Sequence, residues 1–192
     1  MKKILLFGFL FVCLTASAQM PQAPKFGKSI KPQKTIEDWE GVVVPENTVI
    51  GVKFVLVDGI MLGGLSYKDR CDVDPGLVTD FDDMVGRGVY GATQYLGRYD
   101  IPTVALYFTT KTEGRDYLLT FYIKAVSDKG DALADASLTT PDGTKTVLTD
   151  LYGKGGRYGS FVNLMGDGFE SLGGEFVRYI AWAMNKGKVK MK

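Results

Sequence analysis

Three acid–glycine pairs, each set between two apolar runs, constrain this chain most. Asp58-Gly59 separates VIGVKFVLV from IMLGGLSY, Glu113-Gly114 separates TVALYFTTK from DYLLTFYIKAV, and Asp142-Gly143 separates ASLTT from KTVLTDLY. Such pairs favour two-residue type I′ turns, whose central residues need positive φ. Each predicts a β-hairpin. For the middle one, a turn at Glu113-Gly114 opposes Val104 to Ile123, Leu106 to Phe121 and Phe108 to Leu119 on one apolar face. The other face receives Tyr107 with Thr120, Ala105 with Tyr122, Thr103 with Lys124, and Lys111 with Asp116. A slip of one residue would mix the faces, so the pattern specifies register. In the first run Ile50, Val52, Phe54 and Leu56 likewise share a face.

Two stretches change to helical spacing. Phe81, Val85, Val89, Ala92 and Leu96 form one stripe; Phe169, Leu172, Phe176, Ile180 and Ala183 form the other. Asp167 and Glu170 stand at capping-box positions of the second helix, and Gly187 is its expected stop. A strand is expected over Tyr158 to Leu164, and a short helical turn opens at Thr35-x-x-Asp38. Helices set apart by hairpins predict an α+β fold: an antiparallel sheet built from hairpins, with two main helices packed on one face. An eight-stranded membrane barrel is the topological rival. It is disfavoured because VALYF is apolar on successive residues and the chain ends in VKMK.

The chain opens with a secretory leader. Lys2 and Lys3 precede an apolar run from Ile4 to Leu14, and Ala16-Ser17-Ala18 is an Ala-x-Ala cleavage site. Residues 1–18 are thus read as signal peptide, 19–34 as a Pro/Lys-rich linker, 35–185 as one domain and 186–192 as a basic tail. This predicts export to the periplasm or beyond. Val12 before Cys13 does not suit lipid attachment. All 22 acidic residues lie between Thr35 and Asn185. Lys25, Lys28, Lys31 and Lys34 precede that body, and Lys186, Lys188, Lys190 and Lys192 follow it. The acidic body lacks the footprint for nucleic acid, while the arms suit an anionic envelope surface.

The chain has no histidine. That removes Ser-His-Asp and Cys-His catalysis and the common zinc sites. With the leader gone, Cys71 has no partner for an intrachain disulfide. Gly86-Arg-Gly88-Val-Tyr-Gly91 spells G-x-G-x-x-G inside a helical stripe, with no strand before it. That context indicates close helix packing or a break, not a dinucleotide site.

Four groups of residues remain as candidates. The first is CDVDPGLVTDFDDM, residues 71 to 84. Asp72, Asp74, Asp80 and Asp83 stand near calcium-loop positions, but Gly76 and Leu77 fall where a ligand and the turn glycine belong. Ca²⁺ is therefore the one cofactor the stretch could suggest, and an acidic helix start is the favoured reading. The second is the polar sheet face of Lys53, Tyr107, Thr120, Tyr122 and Lys124, whose aromatic and hydroxyl groups suit contact with a ligand. The third is the loop Tyr152 to Ser160, expected between two strands, with Lys154, Arg157 and Tyr158 as contacts. The fourth is a catalytic carboxylate pair, joining Asp80 or Asp83 to Asp167 or Glu170 across a cleft. The expectation is an exported, non-enzymatic binding module of the bacterial envelope whose partner is an envelope protein or a glycan. The alternative is a carboxylate-dependent hydrolase acting on glycans.

Overall fold

The computed structural model describes residues 44–45, 47–98, 106–143 and 145–184. The leader, the linker, the Thr35 turn, both lysine arms and Gly187 lie outside these residues, as do Thr103, Val104 and Ala105.

The apolar alternation makes strands as expected. β1 (Thr48–Leu56) and β5 (Tyr117–Val126) lie side by side, with Ile50, Val52 and Phe54 facing the same buried side as Leu119, Phe121 and Ile123. β4 (Leu106–Thr109) pairs with the other edge of β1. β6 (Ala132–Thr139) follows β5 antiparallel, and β7 (Lys145–Gly153) follows β6 antiparallel. β2 (Met61–Leu62) and β3 (Leu65–Ser66) form a small hairpin. α1 (Tyr67–Val73), α2 (Gly76–Thr79), α3 (Phe81–Leu96) and α4 (Phe161–Met184) complete the described elements. The result is a mixed α/β fold with a sheet of seven strands and four helices among the described residues.

The sheet is mixed in direction, which corrects the antiparallel expectation. β4 and β5 do not pair with each other; both run parallel to β1 and flank it. Leu106 is opposite Thr48, not Phe121; Tyr107 is opposite Val49, not Thr120; Phe108 is opposite Ile50, not Leu119. A turn is present there, with Gly114 at φ 66° and the Arg115 N–H donating to the Thr112 carbonyl at 3.4 Å, but Glu113 is not at positive φ, so this is not the type I′ turn expected. It belongs to a crossing over β1. A Cβ at Gly51 would lie 3.1 Å from Thr112 Cα and 3.3 Å from Arg115 Cγ, so glycine leaves the space through which the chain passes. Alternation sorts residues onto faces whatever the strand direction, so the faces came out right while the partner did not.

Asp58-Gly59 also turns without reversing the chain. Gly59 has φ 72° and the Ile60 N–H donates to the Val57 carbonyl at 3.2 Å, yet β1 and β2 both run parallel to β5. The reversal comes at Gly63-Gly64, both at positive φ, between β2 and β3. The Asp142-Gly143 hairpin forms, but Thr139 pairs with Lys145, so its loop is longer than two residues. One further hairpin joins β5 to β6. Its loop is held by Ser127, whose Oγ accepts from the N–H groups of Lys129 at 3.2 Å and Asp131 at 3.0 Å.

The α3 stripe is helical as expected. α4 starts earlier than expected, and the strand proposed over Tyr158 to Leu164 is absent. Ser160 begins the helix: its Oγ accepts from the Asn163 N–H at 3.3 Å and its carbonyl from the Leu164 N–H at 3.0 Å. Asp167 and Glu170 consequently lie inside α4 and cannot cap it. Two of the three glycines of α3, Gly88 and Gly91, are packing residues. A Cβ at Gly91 would overlap the Glu170 carbonyl, one at Gly173 would overlap the Gly88 carbonyl, and one at Gly88 would lie 2.5 Å from the Phe54 ring. The two long helices thereby press together on one face of the sheet, around Phe54, Phe121, Phe169 and Phe176. Phe54 stacks on Phe121 and Phe169 with centroids 4.6 and 4.4 Å apart.

Candidate functional site

The face of the sheet turned away from α3 and α4 carries the polar candidates. Lys53 is exposed and lies opposite Thr120, which is 7% exposed and opposite Ser137. Tyr122, opposite Val55 and 40% exposed, continues the patch. Tyr107 is 54% exposed but lies opposite Val49, on the far side of the crossing at Gly51. The structure thus joins Lys53, Thr120 and Tyr122, and sets Tyr107 apart from them.

Lys124 is on this face but already engaged. Its Nζ donates to Asp135 Oδ1 and Asp150 Oδ1, each at 2.6 Å. The Asp150 N–H in turn donates to Asp135 Oδ1 at 2.9 Å. Two register shifts create this meeting, one beside Lys124 in β5 and one beside Asp135 in β6, with Asp150 at φ 57°. Burial pushes the lysine down, but hydrogen bonds and charge from the two carboxylates outweigh it and raise Lys124 above its ordinary value. It is a cationic clamp across three strands.

Lys154, Arg157 and Tyr158 are all exposed, on the connection from β7 to α4. The Lys154 N–H donates to Ser171 Oγ at 2.9 Å and the Gly155 N–H to Asp131 Oδ1 at 2.8 Å. These bonds hold the loop to α4 and the β5–β6 turn, so it joins a strand to a helix and does not extend the Lys53 patch.

The acidic stretch is helical for most of its length, which spreads its carboxylates. Asp72 pairs with Lys68 at 2.9 Å, Asp74 terminates α1, Asp80 accepts from Thr79 Oγ1 at 2.7 Å, and Asp83 lies in the first turn of α3. Among the described residues no three His, Cys, Asp or Glu side chains come together to hold a metal ion. Cys71 is a partly buried free thiol against the core. A hydrogen bond to Cys71, with burial behind it, raises the Tyr67 hydroxyl above its ordinary value. Arg70 is occupied elsewhere: Nε donates to the Leu62 carbonyl at 3.1 Å, Nη2 to the Gly63 carbonyl at 3.0 Å, and the guanidinium lies 4.2 Å from the Phe161 ring centre. Asp167 and Glu170 both pair with Arg87 of α3.

One feature had no signal in the sequence. β6 takes one edge of β5, so β1 and β2 share the other edge, end to end. The lane beyond them holds β4 beside Thr48–Gly51 and β3 beside β2, with no strand between among the described residues. A groove of about 760 Å³ fills this notch. Its lining runs from Lys53 to Ile60, then includes Ser66, Tyr67, Lys68 and Phe81. Asp58 is the one carboxylate among these lining residues. A missing neighbour leaves no mark on the strand that lacks it, so the notch is invisible to pattern reading.

No family model matches this chain, and no curated protein matches it. A solved structure described as "Crystal structure of uncharacterized protein" is similar over 70% of this chain and 93% of its own, at 11% identity and a TM-score of 0.40. No helix of the described residues is long and apolar enough to cross a membrane.

Proposed function

We propose that this chain is an exported, non-enzymatic binding module of the bacterial cell envelope, taking an envelope protein or glycan on its sheet. The observation that carries this reading is the uncovered surface where Lys53 and Tyr122 adjoin the groove. Both long helices lie on the opposite face of the sheet, so Lys53 and Tyr122 are spared from the core. Concave, largely apolar sites with a few polar groups are where ligands bind. The leader supports export, and the lysine arms would add attraction to an anionic surface. Glycan hydrolysis is the weaker reading, since two flanking carboxylates are needed and Asp58 is the one carboxylate among the groove's described lining residues.

The test compares three purified proteins for capture of components from an envelope fraction. Lys53→Ala/Tyr122→Ala is expected to keep its melting temperature and lose the captured component, while Tyr107→Ala keeps both. Equal capture by all three, or none by the unaltered protein, would rule the reading out. Fractionation that finds the protein in the cytoplasm with its leader intact would remove the envelope from it.

A further inference from the structure

We infer that the notch beside β1 is a docking site for an extended peptide segment, which adds to the free edge of the strand as one more short strand. This deepens the binding-module reading and rests on it, naming the class of partner.

Three observations carry it. First, the lane is occupied at both ends and open between them. β4 leaves the edge after Thr109, opposite Gly51, because the chain there crosses over β1 toward β5. β3 resumes the lane beside Leu62. From Val52 to Leu56 the free edge is roughly 15 Å long, at about 3.3 Å per residue.

Second, the edge offers backbone chemistry. The Val57 N–H donates to the Ile123 carbonyl of β5 at 3.1 Å. Amides alternate along a strand, so those of Lys53 and Val55 also turn toward β5, and those of Phe54 and Leu56 turn toward the notch. No strand among the described residues pairs with β1 there. Donors and acceptors alternating at this spacing are matched by another polypeptide backbone. A glycan presents hydroxyls at other intervals.

Third, the groove has apolar walls for side chains. Phe54 and Leu56 line it from β1, Ile60 from the connection to β2 and Phe81 from the start of α3, with Tyr67 at 43% exposure on the α1 side. An added strand sends alternate side chains to opposite faces, so every second residue would enter this pocket. The peptide so recognised has apolar residues at every second position and no proline between them.

The test pans the purified protein against a phage-displayed library of linear peptides about seven residues long, a length that spans the lane. Enriched sequences should carry apolar residues at alternate positions. A synthetic copy of the leading sequence is then titrated by fluorescence anisotropy. Tyr67→Asp, a change at a half-exposed helix start, should weaken it by about tenfold or more. Two backbone N-methylated copies, blocking either the odd or the even amides, should differ by about tenfold, because only one set faces β1. Equal binding of the two copies overturns the inference. So does loss of binding in Tyr122→Ala but not in Tyr67→Asp, which moves the peptide to the open sheet face and leaves the binding-module reading standing. A selection that enriches nothing overturns the peptide assignment alone if envelope capture persists, and both readings if capture is also absent.

Discussion

A Cβ at Gly91 would overlap the Glu170 carbonyl, whereas one at Gly86 would meet nothing within 4 Å. The two glycines lie in one helix and differ only in what faces them. Gly86→Ala should stabilise the protein by up to about 1 kcal/mol, the helix preference for alanine. Gly91→Ala should destabilise it by about 1–3 kcal/mol, because two helix backbones must move apart. Urea unfolding of both variants checks the sign, and two shifts in the same direction would refute the close approach. The sequence showed that these glycines either marked packing or a break, but only the facing helix could decide. Lys124 makes a similar point. Its place on the polar face was legible, while its two carboxylates come from strands shifted by irregular register, which no regular pattern encodes.

At the level of elements, periodicity located β1, β4, β5 and α3, since one buried face imposes a period. It failed where glycine masked the pattern. Phe161, Val162, Leu164 and Met165 follow Gly159-Ser160 and precede Gly166 and Gly168, so a helix looked like a strand ending in a loop. Those glycines are contact points: a Cβ at Gly168 would overlap the Gly130 carbonyl, and one at Gly166 would lie 2.6 Å from Arg87 Nη1. Because Ser160 supplies the start, Ser160→Ala should lower stability by about 1 kcal/mol, and Ser160→Asp should restore most of it. Chemical denaturation of both variants tests this; an unchanged midpoint in Ser160→Ala would place the helix start elsewhere. Strand direction was illegible for a different reason. The hairpin turn and the crossing use the same positive-φ glycine at 114, and only the tertiary neighbour distinguishes them.

For the whole molecule, pH gives a test of the titrating groups together. Burial raises Tyr152 and Tyr179, hydrogen bonding to Cys71 raises Tyr67, and the two carboxylates overcome burial to raise Lys124. All four hold their protons more tightly folded than unfolded. Their contribution is therefore complete below the ordinary values of 10.0 for tyrosine and 10.5 for lysine, and falls as pH climbs through the higher folded values. Melting temperature should decline more steeply above about pH 10 than between about pH 7 and 9, and Lys124→Met should flatten part of that decline. A flat alkaline profile would refute it.

The passage of residues 110–116 over Gly51 has a consequence for the order of assembly. β5, β6 and β7 form a meander of neighbours in sequence, able to form from local contacts. β1 precedes both of its partners in sequence and lies between them under a belt of chain, so its pairings join residues about 58 to 67 positions apart and close longer loops than the meander does. Pulse-labelled hydrogen exchange during refolding should therefore protect the amides of β6 before those of β1, and the reverse order would contradict it. A belt also has a weakness that a hairpin lacks. One proteolytic cut within 110–116 would leave the ladders on both sides of β1 intact, yet sever the covalent link that ties β4 to β5 across the strand that carries the groove.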